Sequence, residues 1–388
     1  MIVRKQPAPP RPLAAGDVVT TYSDALGAWT AAQITDLDVR GKQAGVLELD
    51  WSGAEPPTLA DLDGVRPLVL THHAWGGQLS HANFPWLLPR GYRVIGRLPL
   101  LHRERSRDYG RGWHLGDQLA HQRRWDAGDR SSHDDPQTLR LSGEEASRVG
   151  GVAPRKDIRT LIVVDVDTLD CDVVVAGFPD LRALMLWGRL GLLAHAGSLN
   201  RLTGLREVHV DGLFGMAADE VLDPTALPHL EALTLHDVPS EYAAATRRRW
   251  RAEVAHGTEL SVTGARTPEW VAENRSNPLR GWDGRELISR ASYTRSVAQF
   301  RRTRQAVLTV LRDVPPDAVS GELARIGHEY GTAFNRLSAR TAFIETEERE
   351  DLLVALDAVV SEAEAELGRD LTAERVALLD AVDAVRDW

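Results

Sequence analysis

LRALMLWGRLGLLAHAGSLNRLTGLREVHV, residues 181–210, contains one pattern twice: Leu181, Leu184 and Leu186, then 24 residues later Leu205, Val208 and Val210. Its core phrase extends in both directions to six copies, TLRLS, TLIVV, ALMLW, EVHVD, ALTLH and ELSVT. Their second residues are Leu139, Leu161, Leu184, Val208, Leu233 and Leu260, separated by 22, 23, 24, 25 and 27 residues. Apolar residues two apart define a short strand with one buried face. A period in the twenties lets each turn of chain donate one such strand to a shared parallel sheet, which predicts a solenoid.

The complete unit, L-x-x-L-x-L, is matched by Leu181-x-x-Leu184-x-Leu186, Leu205-x-x-Val208-x-Val210 and Leu230-x-x-Leu233-x-Leu235, with Ile158-x-x-Leu161-x-Val163 close behind. On these residues the stretch from about 136 to 265 resembles leucine-rich repeat proteins of the bacterial, cytosolic type. The outer copies depart from the unit, with Pro136 and Gly257 in the first-leucine place, as expected where a stack ends and faces water. The Asn of the family, three residues after the third apolar position, is replaced by Val166, Arg189, Leu213 and Val238. Its hydrogen bonds to buried backbone then need another source, so irregular turns and a short solenoid are expected. Of the return segments, EYAAATRRRWRAEVAHG has the spacing of a helix of about four turns.

Inward leucines force the residues between them onto the opposite, concave face of the sheet. Ile162, Val164, Met185 and Trp187 then form an apolar patch, and Glu207, His209, Asp211 and His236 form its polar rim. Exposed apolar patches containing a tryptophan are typical of protein-binding surfaces. The competing expectation is that another part of the chain, such as residues 103–136 or the helical domain, covers the patch.

Residues 14–102 read as a small barrel of five strands, GDVVTTY, AWTAAQIT, AGVLELDW, RPLVLTH and YRVIGRLPL. The wording from Gly16 to Trp51 resembles Tudor and other SH3-like barrels. That resemblance implies that Tyr22, Trp29 and Trp51 form either an aromatic cage for a cationic ligand or the barrel core. Residues 103–135 lack sustained periodicity and read as a linker or excursion. His114, His121 and His133 with Asp134 and Asp135 show no metal-ligand spacing. Nor do His72, His73 and His81, because adjacent residues of a strand point to opposite faces. No metal and no cofactor are expected.

Beyond a Trp-rich connector that closes the repeat domain, residues 136–285, the pattern turns helical. Helices are expected at 286–313, 317–341, 345–367 and 372–387, as an antiparallel bundle spanning 286–388. The acidic run Glu345, Glu347, Glu348, Glu350 and Asp351 begins a helix, where carboxylates favour the positive end of the dipole.

The chain of 388 residues is long enough for several domains, and a net charge of −10 disfavours nucleic acid as ligand. One cysteine, Cys171, excludes an intrachain disulfide framework. Lysine occurs only at Lys5, Lys42 and Lys156, an arginine-for-lysine skew that points to a GC-rich bacterial genome. No apolar run suits a membrane span or signal peptide, which places the protein in the cytoplasm. Phosphate loops, nucleophile elbows and zinc-protease motifs are missing. The sequence therefore predicts an α+β multidomain, non-enzymatic scaffold that binds a partner protein, with nothing to set its oligomeric state. The alternatives are an immunity protein or inhibitor of a toxin or enzyme, and an enzyme whose site lies between domains.

Overall fold

The alternating runs near the N-terminus form β1 (Asp17–Ser23), β2 (Ala28–Asp38) and β3 (Gln43–Gly53). The RPLVLTH run provides only the two-residue β4 (Val69–Leu70), paired with β5 (Gln78–Leu79) in a separate ribbon. Two further strands, β6 (His81–Pro85) and β7 (Arg93–Arg97), complete an antiparallel five-stranded sheet of order β6-β3-β2-β1-β7. The expected fourth strand is thus replaced by HANFP, whose single large apolar residue, Phe84, gives no alternation to read. This computed structural model describes residues 12–38, 40–106, 108, 112–130, 135–150 and 153–388. His133 and Asp134 lie outside the described residues.

Both faces of this sheet are buried. Val18, Ala31 and Leu49 pack with Leu62 on one side, while Val19, Ala32, Ile34, Val46 and Phe84 pack with Tyr92, Trp113 and Leu115 on the other. Trp113 and Leu115 come from the segment read as a linker. That segment also forms α1 (Asp117–Asp126), which buries Leu119, Ala120 and Gln122. It is held by Tyr92 Oη donating to Trp113 O (2.6 Å) and by Trp113 Nε1 donating to Pro85 O (2.8 Å). The buried Glu48 carboxylate adds a third tie, accepting from Ser80 Oγ (2.8 Å) and Gly116 N (2.9 Å).

The six repeated phrases form β8 (Thr138–Ser142), β9 (Thr160–Asp170), β10 (Ala183–Ala194), β11 (Glu207–Phe214), β12 (Ala232–His236) and β13 (Glu259–Thr263). They run parallel and lie side by side in chain order. Leu139, Leu161, Leu184, Val208, Leu233 and Leu260 are in lateral register across the whole sheet. Behind it, α2 (Gly143–Ser147), α3 (Cys171–Gly177) and α4 (Ser240–Trp250) contribute Ala146, Val174, Tyr242, Ala243 and Trp250 to the core of the sheet. The helix expected in the last return segment is α4, followed by a separate short 3₁₀ turn over Glu253–His256.

The places at which the leucine-rich-repeat resemblance called for Asn are served in two ways. Three of its four substitutes, Val166, Leu213 and Val238, are buried apolar residues. The ladder also continues past the bend, pairing Leu192 with Thr168 and with Phe214, so strand neighbours satisfy the backbone there. Continuation requires two strands, β10 and β11, to meet closely at the bend: Gly212 has φ +65°, and a Cβ on it would collide with Gly188 O.

The chain divides into two units, residues 1–267 and 268–388. Within the first, the antiparallel sheet meets the start of the parallel strands. Gly91 N donates to Glu231 Oε1 (3.1 Å), Arg90 donates to Pro228 O (3.2 Å) and pairs with Glu253, and Arg182 pairs with Asp24. In the second, α5 (Pro268–Asn274) precedes α6 (Arg290–Asp313), α7 (Pro316–Ser338), α8 (Thr346–Leu367) and α9 (Thr372–Asp383). Phe300, Val307, Leu311, Leu323, Ile326, Tyr330, Phe334, Leu356, Val360 and Leu378 share one core. The acidic run opens α8 with a Glu345–Glu348 capping box, and Arg285 pairs with Glu347 and Glu348. Among the described residues, no helix is long and apolar enough to cross a membrane.

Two outcomes follow. Gly212→Ala must force a side chain into a left-handed backbone and a carbonyl, and is expected to lower unfolding free energy by roughly 1–3 kcal/mol in denaturant titrations. Burial raises the Glu48 carboxyl from 4.5 to about 7, partly offset by its hydrogen bonds from Gly116 and Ser80. Its contribution to stability is therefore fully present below pH 4.5 and is lost as pH rises through about 7, a change of about 3 kcal/mol. Glu48→Gln keeps the shape and removes the titration, so the fall in melting temperature across that window should flatten relative to wild type.

Candidate functional site

Alternation within β9 to β12 buries Leu161, Val163, Leu184, Leu186, Val208, Val210, Leu233 and Leu235. On the opposite face stand Ile162, Val164, Met185, Trp187, Glu207, His209, Asp211 and His236, every one half-buried. The ladder places Met185 between Ile162 and His209, and Asp211 between Trp187 and His236. Beside Trp187 the β9–β10 register shifts, between Leu186 and Gly188.

The polar members of this face are not spectators to the apolar ones. The Trp187 and His209 rings lie 5.0 Å apart at 38°. His209 Nε2 is buried and has no hydrogen-bond partner among the described residues, an arrangement that costs free energy until a donor or acceptor reaches it. Burial pushes the His209 imidazole pKa down, against the pull of Asp211 and Glu207, and so favours the neutral ring. Burial raises the Asp211 carboxyl, against the pull of His236 and His209. His236 is tied sideways, with Nδ1 2.8 Å from Thr263 Oγ1. The face thus presents an aromatic ring, aliphatic side chains and the carboxylates of Glu207 and Asp211, while the unpartnered His209 nitrogen is buried.

In the antiparallel sheet, Tyr22 and Trp29 are cross-strand partners with rings 6.1 Å apart, edge to face, and Tyr22 is 36% exposed. Trp51 packs against the cluster of Val18, Ala31 and Leu49 and makes no ring contact with either, among the described residues. Cys171 is buried, and its thiol is held above the usual range first by burial and then by Asp170.

One grouping was invisible in the sequence, and a second was dismissed there. Asp170, Asp172 and His195 bring one ligand atom each within 4.8 Å of the others, although 25 residues separate the first from the last. Asp170 already caps α3 by accepting from Asp172 N (2.8 Å), and Asp172 pairs with Arg201. The second grouping is His72 with His73. The opposite-faces argument fails for them because they lie in a turn, not a strand: His73 has φ 51° and Trp75 N donates to His72 O. Their Nδ1 atoms are 3.0 Å apart. His81 belongs elsewhere, with Nε2 2.8 Å from Thr35 Oγ1. Comparison with protein-family models, curated proteins and solved structures finds no match to this chain.

Proposed function

We propose that the protein is a non-catalytic scaffold that captures a partner protein on the open face of its parallel sheet. In this reading β8 to β13 are the strands of a short leucine-rich-repeat solenoid, whose inward apolar column and chain-order pairing are those of stacked repeats. The antiparallel sheet is its Tudor- or SH3-like barrel, fixed against one end of the strands. The observation that carries the proposal is the grouping of Ile162, Val164, Met185 and Trp187 on adjacent strands, half-buried where the paired leucines are fully buried.

Apolar side chains that remain accessible beside a polar rim are what a partner can desolvate at low cost, with tryptophan the residue most often dominant in such contacts. Glu207 and Asp211 on the rim, together with the net charge of −10, favour a partner whose contact surface is basic and speed its approach. An immunity protein or inhibitor acting on a basic toxin or enzyme is the narrower form of the same reading.

The test is affinity purification from native cells with mass spectrometry, using wild type and Trp187→Asp/Met185→Ser. The double variant is expected to lose the captured partner while its melting temperature stays nearly unchanged. Equal recovery by both proteins would rule the patch out, and a large drop in melting temperature would show it to be internal packing.

A further inference from the structure

The turn that carries His72 and His73 faces α1. His72 is buried, whereas His73 and His121 are exposed. Gln118 and His121, three residues apart, share one face of α1. His72 Nε2 lies 3.0 Å from Gln118 Oε1. A carboxamide oxygen only accepts, so Nε2 carries the proton of His72 and its Nδ1 presents a lone pair. That lone pair meets His73 Nδ1 at 3.0 Å, and the ring of His121 lies 5.7 Å from that of His72. Trp75 and Trp125 border the group, at 6.4 Å from His72 and 5.6 Å from His73.

We propose that His72, His73 and His121 bind a divalent transition-metal ion of the zinc class. Three features support the assignment. First, imidazole nitrogens bind zinc at roughly 2.0–2.1 Å, so two on one tetrahedral ion stand about 3.3 Å apart, a few tenths of an ångström from the observed separation of the two Nδ1 atoms. Second, a ligating histidine characteristically donates its other N–H to an oxygen that fixes ring and tautomer, and Gln118 Oε1 already does this for His72. Third, an all-nitrogen set suits zinc, nickel or copper over magnesium or calcium.

A cation takes the place of the proton between the two Nδ1 atoms. His73 then carries its proton on Nε2, and His121 swings in as the third ligand with water completing the shell. The tighter Asp170–Asp172–His195 group is the weaker candidate, because Asp172 is already neutralised by Arg201 and because Asp170 holds the His195 imidazole towards its protonated form.

The experiment is calorimetric titration of the chelator-treated full chain with zinc chloride, in parallel with His73→Ala, His121→Ala and His195→Ala. The first two positions are exposed, so circular dichroism of these variants should match wild type. The expected result is one equivalent bound by wild type, weakened at least about tenfold in His73→Ala and in His121→Ala, and unchanged in His195→Ala. No binding, several weak equivalents indifferent to His73→Ala, unchanged affinity in His121→Ala, or a loss confined to His195→Ala would each overturn the assignment.

Discussion

The column of Leu139, Leu161, Leu184, Val208, Leu233 and Leu260 must stack at one strand spacing, about 4.8 Å, or none of the six strands gains a buried face. Each fully buried leucine in it contributes roughly 1.5–3 kcal/mol relative to exposure, and no single phrase could secure that burial alone. The register therefore propagates: a slip of one residue in any strand would turn its leucines outward and its polar residues into the core. The outward face with Met185, Trp187, His209 and Asp211 exists because the inward column is satisfied.

The same constraint shapes the bends where strand turns into return segment. Here β9, β10 and β11 run on through the bend and use one another as partners, at the cost of needing no side chain at Gly188 and Gly212. Val166, Leu213 and Val238, each three residues beyond the last inward residue of its phrase, are buried apolar residues.

The antiparallel sheet is governed by a different requirement. Both of its faces are covered, and of the five strands expected only the fourth was assigned to the wrong residues. Phe84 gave β6 no pattern, and Trp113 and Leu115 looked like isolated residues in a polar stretch until Tyr92, Pro85 and Glu48 were seen to hold them. The turn at His72 and His73 shows the same limit. A left-handed residue reverses the facing rule that strand geometry supplies, and nothing in the two letters announces it.

Periodicity by itself determined the parallel strands, their register, the residues on each of their faces and the helices that follow, because each depends only on spacing along one element. The outward-facing set from Ile162 to His236 was legible for that reason. Tertiary structure alone decided that His209 Nε2 would be buried without a partner among the described residues, that Trp113 and Leu115 would complete the core of the N-terminal sheet, and that His72 would lie beside both His73 and His121. These depend on distances between segments far apart in the chain, and burial and hydrogen bonding at such junctions are set by packing that no local pattern records.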